Sequence, residues 1–147
     1  MQLDGQFAVS ATQDEVYGFL TNPAVVTKYM PDVVGVAIDD ADHFTVTARV
    51  GISHIKGTMV MKLEIRDRQP PVSTTVAGKG TGMASVVDMV TSFRLVPDGA
   101  GGTTIHWKGD VTISGKLAAF GPQGLLDRMA RKNVERFIEG IRAGLQR

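Results

Sequence analysis

The middle of the chain alternates between apolar and polar positions with a period of two, the mark of strands that bury one face. Phe44, Val46, Ala48 and Val50 alternate with Thr45, Thr47 and Arg49. In the next run Ile55, Met59, Met61, Leu63 and Ile65 share one face, and Lys56, Thr58, Lys62, Glu64 and Arg66 share the other. The stretch "VSTTVAGKGTG" places Val72, Thr74, Val76, Gly78, Gly80 and Gly82 on its more apolar side, which is expected to look inward. Val87, Met89, Phe93 and Leu95 continue the pattern, followed by Ile105, Trp107, Val111 and Ile113. Turn-forming residues separate the runs at 39–42 (DDAD), 68–71 (RQPP) and 97–102 (PDGAGG). Short connections between successive strands imply an antiparallel sheet.

Near the ends the period changes. Thr12 and Glu15 match a capping box, predicting a helix over about 13–20. Asn22-Pro23 is a second cap with proline at the first helical position, opening a short helix toward Tyr29. Leu126, Ala130, Val134, Ile138, Ile141 and Leu145 recur at spacings of three or four, widened by Met129 and Phe137. Arg128, Arg131, Lys132, Glu135, Arg136 and Glu139 mostly take other angles, so this is an amphipathic helix of about twenty residues. The sheet's apolar face needs a cover, and this helix is the available one. The expected class is α+β: a curved antiparallel sheet of about seven strands wrapped around a long C-terminal helix, with two short helices after the first strand, in one domain over 1–147.

Two features bear on whether the interior is filled. Gly78, Gly80 and Gly82 remove side-chain volume from one inward face, which leaves either close packing and bending or an open cavity. Met59, Met61, Met83, Met89 and Met129 all fall on inward faces, where flexible thioethers suit an adaptable apolar surface as well as an ordinary core. The stretch "LAAFG" at 117–121, beside Pro122 and Gly124, is either an apolar lip at a cavity mouth, freed to move by Gly115, Gly121 and Gly124, or a turn tucked into the core.

Composition narrows the chemistry. At 147 residues, 43% hydrophobic and 21% charged, with net charge +1, the chain reads as an ordinary globular domain. The absence of cysteine excludes disulfides, thiolate metal sites and a cysteine nucleophile, and fits a cytoplasmic setting. The first twenty residues lack the basic-then-apolar layout of a secretory leader, and no run approaches the roughly 18 apolar residues of a membrane span. Charge is uneven: residues 1–115 carry nine Lys and Arg against twelve Asp and Glu, and residues 116–147 carry seven against three. His43 and His54 fall in or near turns, His106 falls on an outward face, and no metal-binding histidine spacing occurs. There is no G-x-S-x-G elbow. Asp88 and Asp110, the nearest candidates for acid or base work, point outward by alternation. "GKGTG" lacks the phosphate-loop pattern and lies in a strand. No basic patch interleaved with aromatics points to nucleic acid.

The stretch "VTISGKLAAFGPQGLLDRMARKNVERF" resembles a pattern of the carbon monoxide dehydrogenase G-subunit family, with Ser114, Gly115, Lys116, Leu117, Ala118 and Gly121 matching it residue by residue. Ile55, Lys56, Gly57 and Thr58, the run Gly78 to Gly80, and "GGTTIHWKGDV" match weaker family features. The resemblance covers essentially the whole chain. It departs at "YMPDVVGV", where Asp32 and Val33 stand in place of a glycine soon after Pro31, and the sequence ends at Arg147 without the tail of longer relatives.

That family lies among the START-like helix-grip (SRPBCC) domains. The resemblance implies a noncatalytic accessory protein of a molybdenum-containing dehydrogenase. Such a protein recruits the enzyme to the inner face of the membrane or handles a lipophilic electron carrier such as a quinone. The wider fold binds lipids, sterols and polyketides between sheet and helix. On that reading an apolar ligand touches Phe44, Met59, Met61, Leu63, Met89, Phe93, Trp107, Leu125 and Met129. Tyr29, Met30, Leu117 and Phe120 form the entrance, while Arg128, Arg131 and Lys132 meet an anionic membrane surface or a partner protein. Neither metal nor cofactor is expected. Two other readings stay open: a polyketide cyclase or dehydrase-type enzyme, which needs an acid or base aimed inward, and a protein-binding adaptor with a filled core.

Overall fold

The computed structural model describes residues 1–52, 55–119 and 125–145. The chain opens with strand β1 (Gln2–Val9), then helices α1 (Gln13–Leu20) and α2 (Pro23–Val26), the latter running into a 3-10 turn at Thr27–Tyr29. Both predicted caps form. The Thr12 hydroxyl accepts from the Glu15 amide at 3.3 Å, and Glu15 reaches back to Thr12. Asn22 Oδ1 accepts from the Ala24 amide at 3.1 Å. Six strands follow: β2 (Val33–Ile38), β3 (His43–Ile52), β4 (Ile55–Gln69), β5 (Ser73–Gly82), β6 (Ser85–Pro97) and β7 (Thr103–Gly115). A second 3-10 turn (Lys116–Ala119) precedes the long helix α3 (Leu125–Leu145).

Among the described residues the seven strands form one antiparallel sheet in the order β1-β7-β6-β5-β4-β3-β2. The two short helices carry the chain from one edge of this sheet to the other, and the remaining strands meander back. The expected alternation holds along most of it: Phe44, Val46, Met59, Leu63, Ile65, Leu95 and Ile105 are buried on the inner face. Two positions differ. Val72 lies in the turn before β5 and is 45% exposed, and Ala77, on the outer face, is buried. Ala77 sits in register between Glu64 and Val90 of the flanking strands.

The glycine run resolves toward packing. A Cβ on Gly78 would lie 2.5 Å from Leu63 Cδ2 and 3.2 Å from Met89 Cγ, and one on Gly80 would lie 3.1 Å from Met61 Cγ. Large side chains from the flanking strands lean into the volume that the glycines leave. His43 opens β3 and is not in the preceding turn.

Candidate functional site

Helix α3 meets the rest of the molecule unevenly. In its last two turns Ile141 and Leu145 are buried with Phe7, Val9, Leu95 and Ile105 from the sheet and with Val16, Tyr17, Phe19 and Leu20 from α1. Two helix glycines permit this closeness. A Cβ on Gly140 would collide with the Tyr29 carbonyl oxygen, and one on Gly144 would lie 2.5 Å from the Phe19 ring.

Over the first four turns nothing on α3 is fully buried. Leu126, Met129, Ala130, Val134, Phe137 and Ile138, all of the predicted stripe but Ile141 and Leu145, keep partial access to solvent, as does Leu125. So do the inner-face side chains Met61, Val87, Met89, Phe93, Trp107 and Ile113. These partly exposed side chains flank the buried core, Leu125, Leu126, Met129, Val87 and Ile113 against Met59 and Leu117, and Phe137, Ile138, Phe93 and Trp107 against the α1–α3 end. The buried core is correspondingly split among the described residues into three clusters: the α1–α3 end, a patch of Phe44, Val46, Leu63 and Ile65 on β3 and β4, and Met59 with Leu117.

All nine predicted lining residues lie on α3 or on the inner face of the sheet. Phe44, Met59 and Leu63 are buried floor; Met61 and Met89 pack beside Phe44 and Leu63. Phe93 and Trp107 adjoin the sealed end, with Trp107 lying across Gly5 at 2.9 Å from where a Cβ would stand. Leu125 and Met129 pack toward Met59 and Leu117.

The predicted entrance divides. Tyr29 and Met30 lie in a strap, Tyr29–Asp32, that joins the first 3-10 turn to β2. Tyr29 packs against Phe19 at 5.3 Å between ring centroids, and Met30 against the Phe44–Leu63 cluster. Leu117 points inward and is 5% exposed, its amide donating to Ser85 Oγ at 2.8 Å, while Ala118 and Ala119 stay exposed. Leu117 of "LAAFG" is thus tucked in, not projecting as a lip, and a Cβ on Gly115, whose φ is 90°, would collide with the Ala84 carbonyl oxygen. Phe120, Gly121, Pro122 and Gly124 lie outside the described residues, as does His54. Arg128, Arg131 and Lys132 are exposed on α3.

One feature escaped sequence reasoning. Arg136 of α3 forms a two-pronged ion pair with Asp32 of the strap, at 2.7 and 3.2 Å. The guanidinium holds the Asp32 carboxyl below its ordinary value. Its signal was there, in the departure from glycine at Asp32.

The titratable candidates Asp88, Asp110 and His106 lie on the outer face of the sheet, and His43 is exposed at the start of β3. A concavity of about 420 Å³ lies on the outer face of the sheet, lined by Lys62, Glu64, Arg66, Lys79, Asp88 and Asp110 among others, a charged setting unsuited to apolar cargo. His106 pairs with Arg94 in register on that same face. His43 bonds Asp40 at 2.8 Å through Nδ1 and Glu64 at 3.0 Å through Nε2, and the two carboxylates, Asp40 foremost, raise its pKa. Among the described residues no group of three or more His, Cys, Asp or Glu could hold a metal, and no helix is long and apolar enough to cross a membrane.

The architecture recurs in solved structures. A conserved protein from Geobacillus kaustophilus superposes with a TM-score of 0.89 at 22% identity, covering 99% of this chain and 95% of that one. A START superfamily protein from Mycobacterium smegmatis gives 0.73 at 10% identity, covering 98% and 96%. The ZhuI aromatase/cyclase from Streptomyces sp. R1128 gives 0.68 at 14% identity, covering 97% and 92%. At such identities the likeness shows the fold, START-like with a helix gripped by the sheet. No curated protein matches the sequence significantly. The family profile of the carbon monoxide dehydrogenase G subunit (CoxG) does match, over residues 5–146, and the chain belongs to that family.

Proposed function

We propose that this chain binds an apolar small molecule, a lipid or a quinone-like carrier, between the first four turns of α3 and the inner face of the sheet. It does so as a noncatalytic accessory protein of a carbon monoxide dehydrogenase-type molybdenum enzyme. One observation carries the reading: the stripe from Leu125 to Ile138 and the facing residues Met61, Met89, Phe93 and Trp107 all stop short of burial, although the same helix closes fully at Ile141 and Leu145. Apolar side chains left partly exposed in this way gain by taking a ligand against them, at roughly 0.8 kcal/mol per buried CH₂. A prenyl or acyl tail needs no charged anchor at that rate. Asp88, Asp110 and His106 lie on the outer face, which favours binding over the chemistry of the cyclase neighbour.

The test is mass spectrometry of an organic extract of the purified protein, beside uptake of the fluorescent apolar probe N-phenyl-1-naphthylamine. Stoichiometric lipid or quinone, or saturable uptake that Ala130→Trp abolishes in a folded protein, is the expected result. A clean extract with no uptake leaves the adaptor reading, in which the exposed Arg128, Arg131 and Lys132 carry the function. Those three side chains would also supply contact with an anionic membrane, at about 1 kcal/mol each near its surface. Their joint replacement by Gln should then abolish sedimentation with phosphatidylglycerol vesicles and leave probe uptake unchanged.

A further inference from the structure

We infer that the Asp32–Arg136 ion pair is the latch on this chamber, setting how fast an apolar ligand enters and leaves without touching it. The inference rests on the ligand-binding reading above. The strap Tyr29–Asp32 touches both α3 and the inner face of the sheet, the two sides of the proposed chamber. On the helix side Tyr29 is clamped by Phe19 and by the close approach of Gly140 and Gly144. On the sheet side Met30 and Val33 rest on the Phe44–Leu63 cluster. The strap is therefore hinged at Tyr29 and fastened at Asp32.

Three features suit Asp32 to be the fastening that opens. Its φ is 62°, a left-handed backbone that aspartate tolerates better than most residues but that still costs energy to hold. Its carbonyl accepts from the Arg49 amide at 2.9 Å, so one end of the residue belongs to β3 while its carboxylate reaches α3. Among the described residues this is the one ion pair made by α3. Its two-pronged geometry gives direction. With side chains 44% and 43% exposed it is also screened by salt and weak enough to open. Arg49 beside Asp32 and Glu139 beside Arg136 are the other charges that act on the pair.

Stopped-flow exchange of N-phenyl-1-naphthylamine, measured at low and high salt, tests this with Asp32→Asn, Arg136→Gln and the double variant. Asparagine keeps the size and the left-handed tolerance of Asp32 and removes only the charge. Each single variant should raise association and dissociation rates together, about fivefold, leaving the dissociation constant unchanged. The double variant should be no faster than either single one. Added salt should speed the wild type and leave the variants unaffected. A pair that merely shaped the chamber would instead change affinity. Equal rates in all four proteins, or weakened binding at an unchanged association rate, overturns the latch alone. A wild type that takes up no probe overturns the binding reading and the latch with it.

Discussion

At Asp32 two opposing contributions meet: a left-handed backbone and a bidentate pair with Arg136. The backbone costs roughly 1 kcal/mol, and the exposed, salt-screened pair offsets part of it. Asp32→Gly removes both and should leave unfolding free energy within about 0.5 kcal/mol of wild type. Asp32→Ala keeps the strain and loses the pair, so denaturant titration should show it less stable than both wild type and Asp32→Gly. At His43 the sign is fixed by charge. Both ring nitrogens face carboxylates, and only the imidazolium donates to both. Because its pKa is raised on folding, its contribution is complete below the unfolded value and fades as pH rises through the folded one. The difference in unfolding midpoint between wild type and His43→Gln should accordingly be largest below about pH 6.5 and vanish well above it. The buried Tyr17 hydroxyl makes no hydrogen bond among the described residues. Tyr17→Phe should be neutral or stabilising by up to about 1 kcal/mol, because it removes a desolvated polar group.

At the scale of elements, glycines in two helices have opposite meanings. Gly18 in α1 has nothing within 4 Å of where a Cβ would stand, so Gly18→Ala should stabilise by about 0.5–1 kcal/mol through helix propensity. Gly140→Ala drives a methyl group into the Tyr29 carbonyl and should cost about 1–3 kcal/mol. Thermal unfolding of the pair checks both signs. The elements themselves are legible where local chemistry defines them. The caps at Thr12 and Asn22 and the alternation from Phe44 to Ile65 satisfy backbone donors and bury one face whatever the rest of the molecule does. Val72 departs from its expected face because β5 starts one residue later, and where a strand ends is not a property of a residue's own period.

At the scale of the molecule, the proposed binding between α3 and the sheet predicts linkage. A ligand at one hundred times its dissociation constant stabilises by about 2.7 kcal/mol. For a chain of this size that is a rise of roughly 5–10 °C in unfolding midpoint. Amides over residues 125–138 should exchange fastest without ligand and gain most protection with it. Protection spread evenly along α3 would place the ligand elsewhere. The chain belongs to the carbon monoxide dehydrogenase G-subunit family, and its proposed lining residues are spread over three packed clusters of the inner face and α3.

By itself the sequence determined the strands, the caps, the amphipathic helix and the family, because each is written in local periodicity or in a contiguous motif. It also determined which side chains share the inner face, since a strand's alternation leaves no other choice once one face is apolar. Only the tertiary structure decided what happens between those faces. Whether glycines leave a void depends on Leu63, Met61 and Met89 leaning across from the flanking strands. Whether Leu117 projects depends on Ser85 Oγ, thirty-two residues away, holding its amide. Whether α3 closes depends on two glycines near its C-terminal end meeting Tyr29 and Phe19, and whether the strap is fastened depends on a pairing 104 residues apart in sequence. These are distances between surfaces, set by how whole elements pack, and no local pattern encodes them.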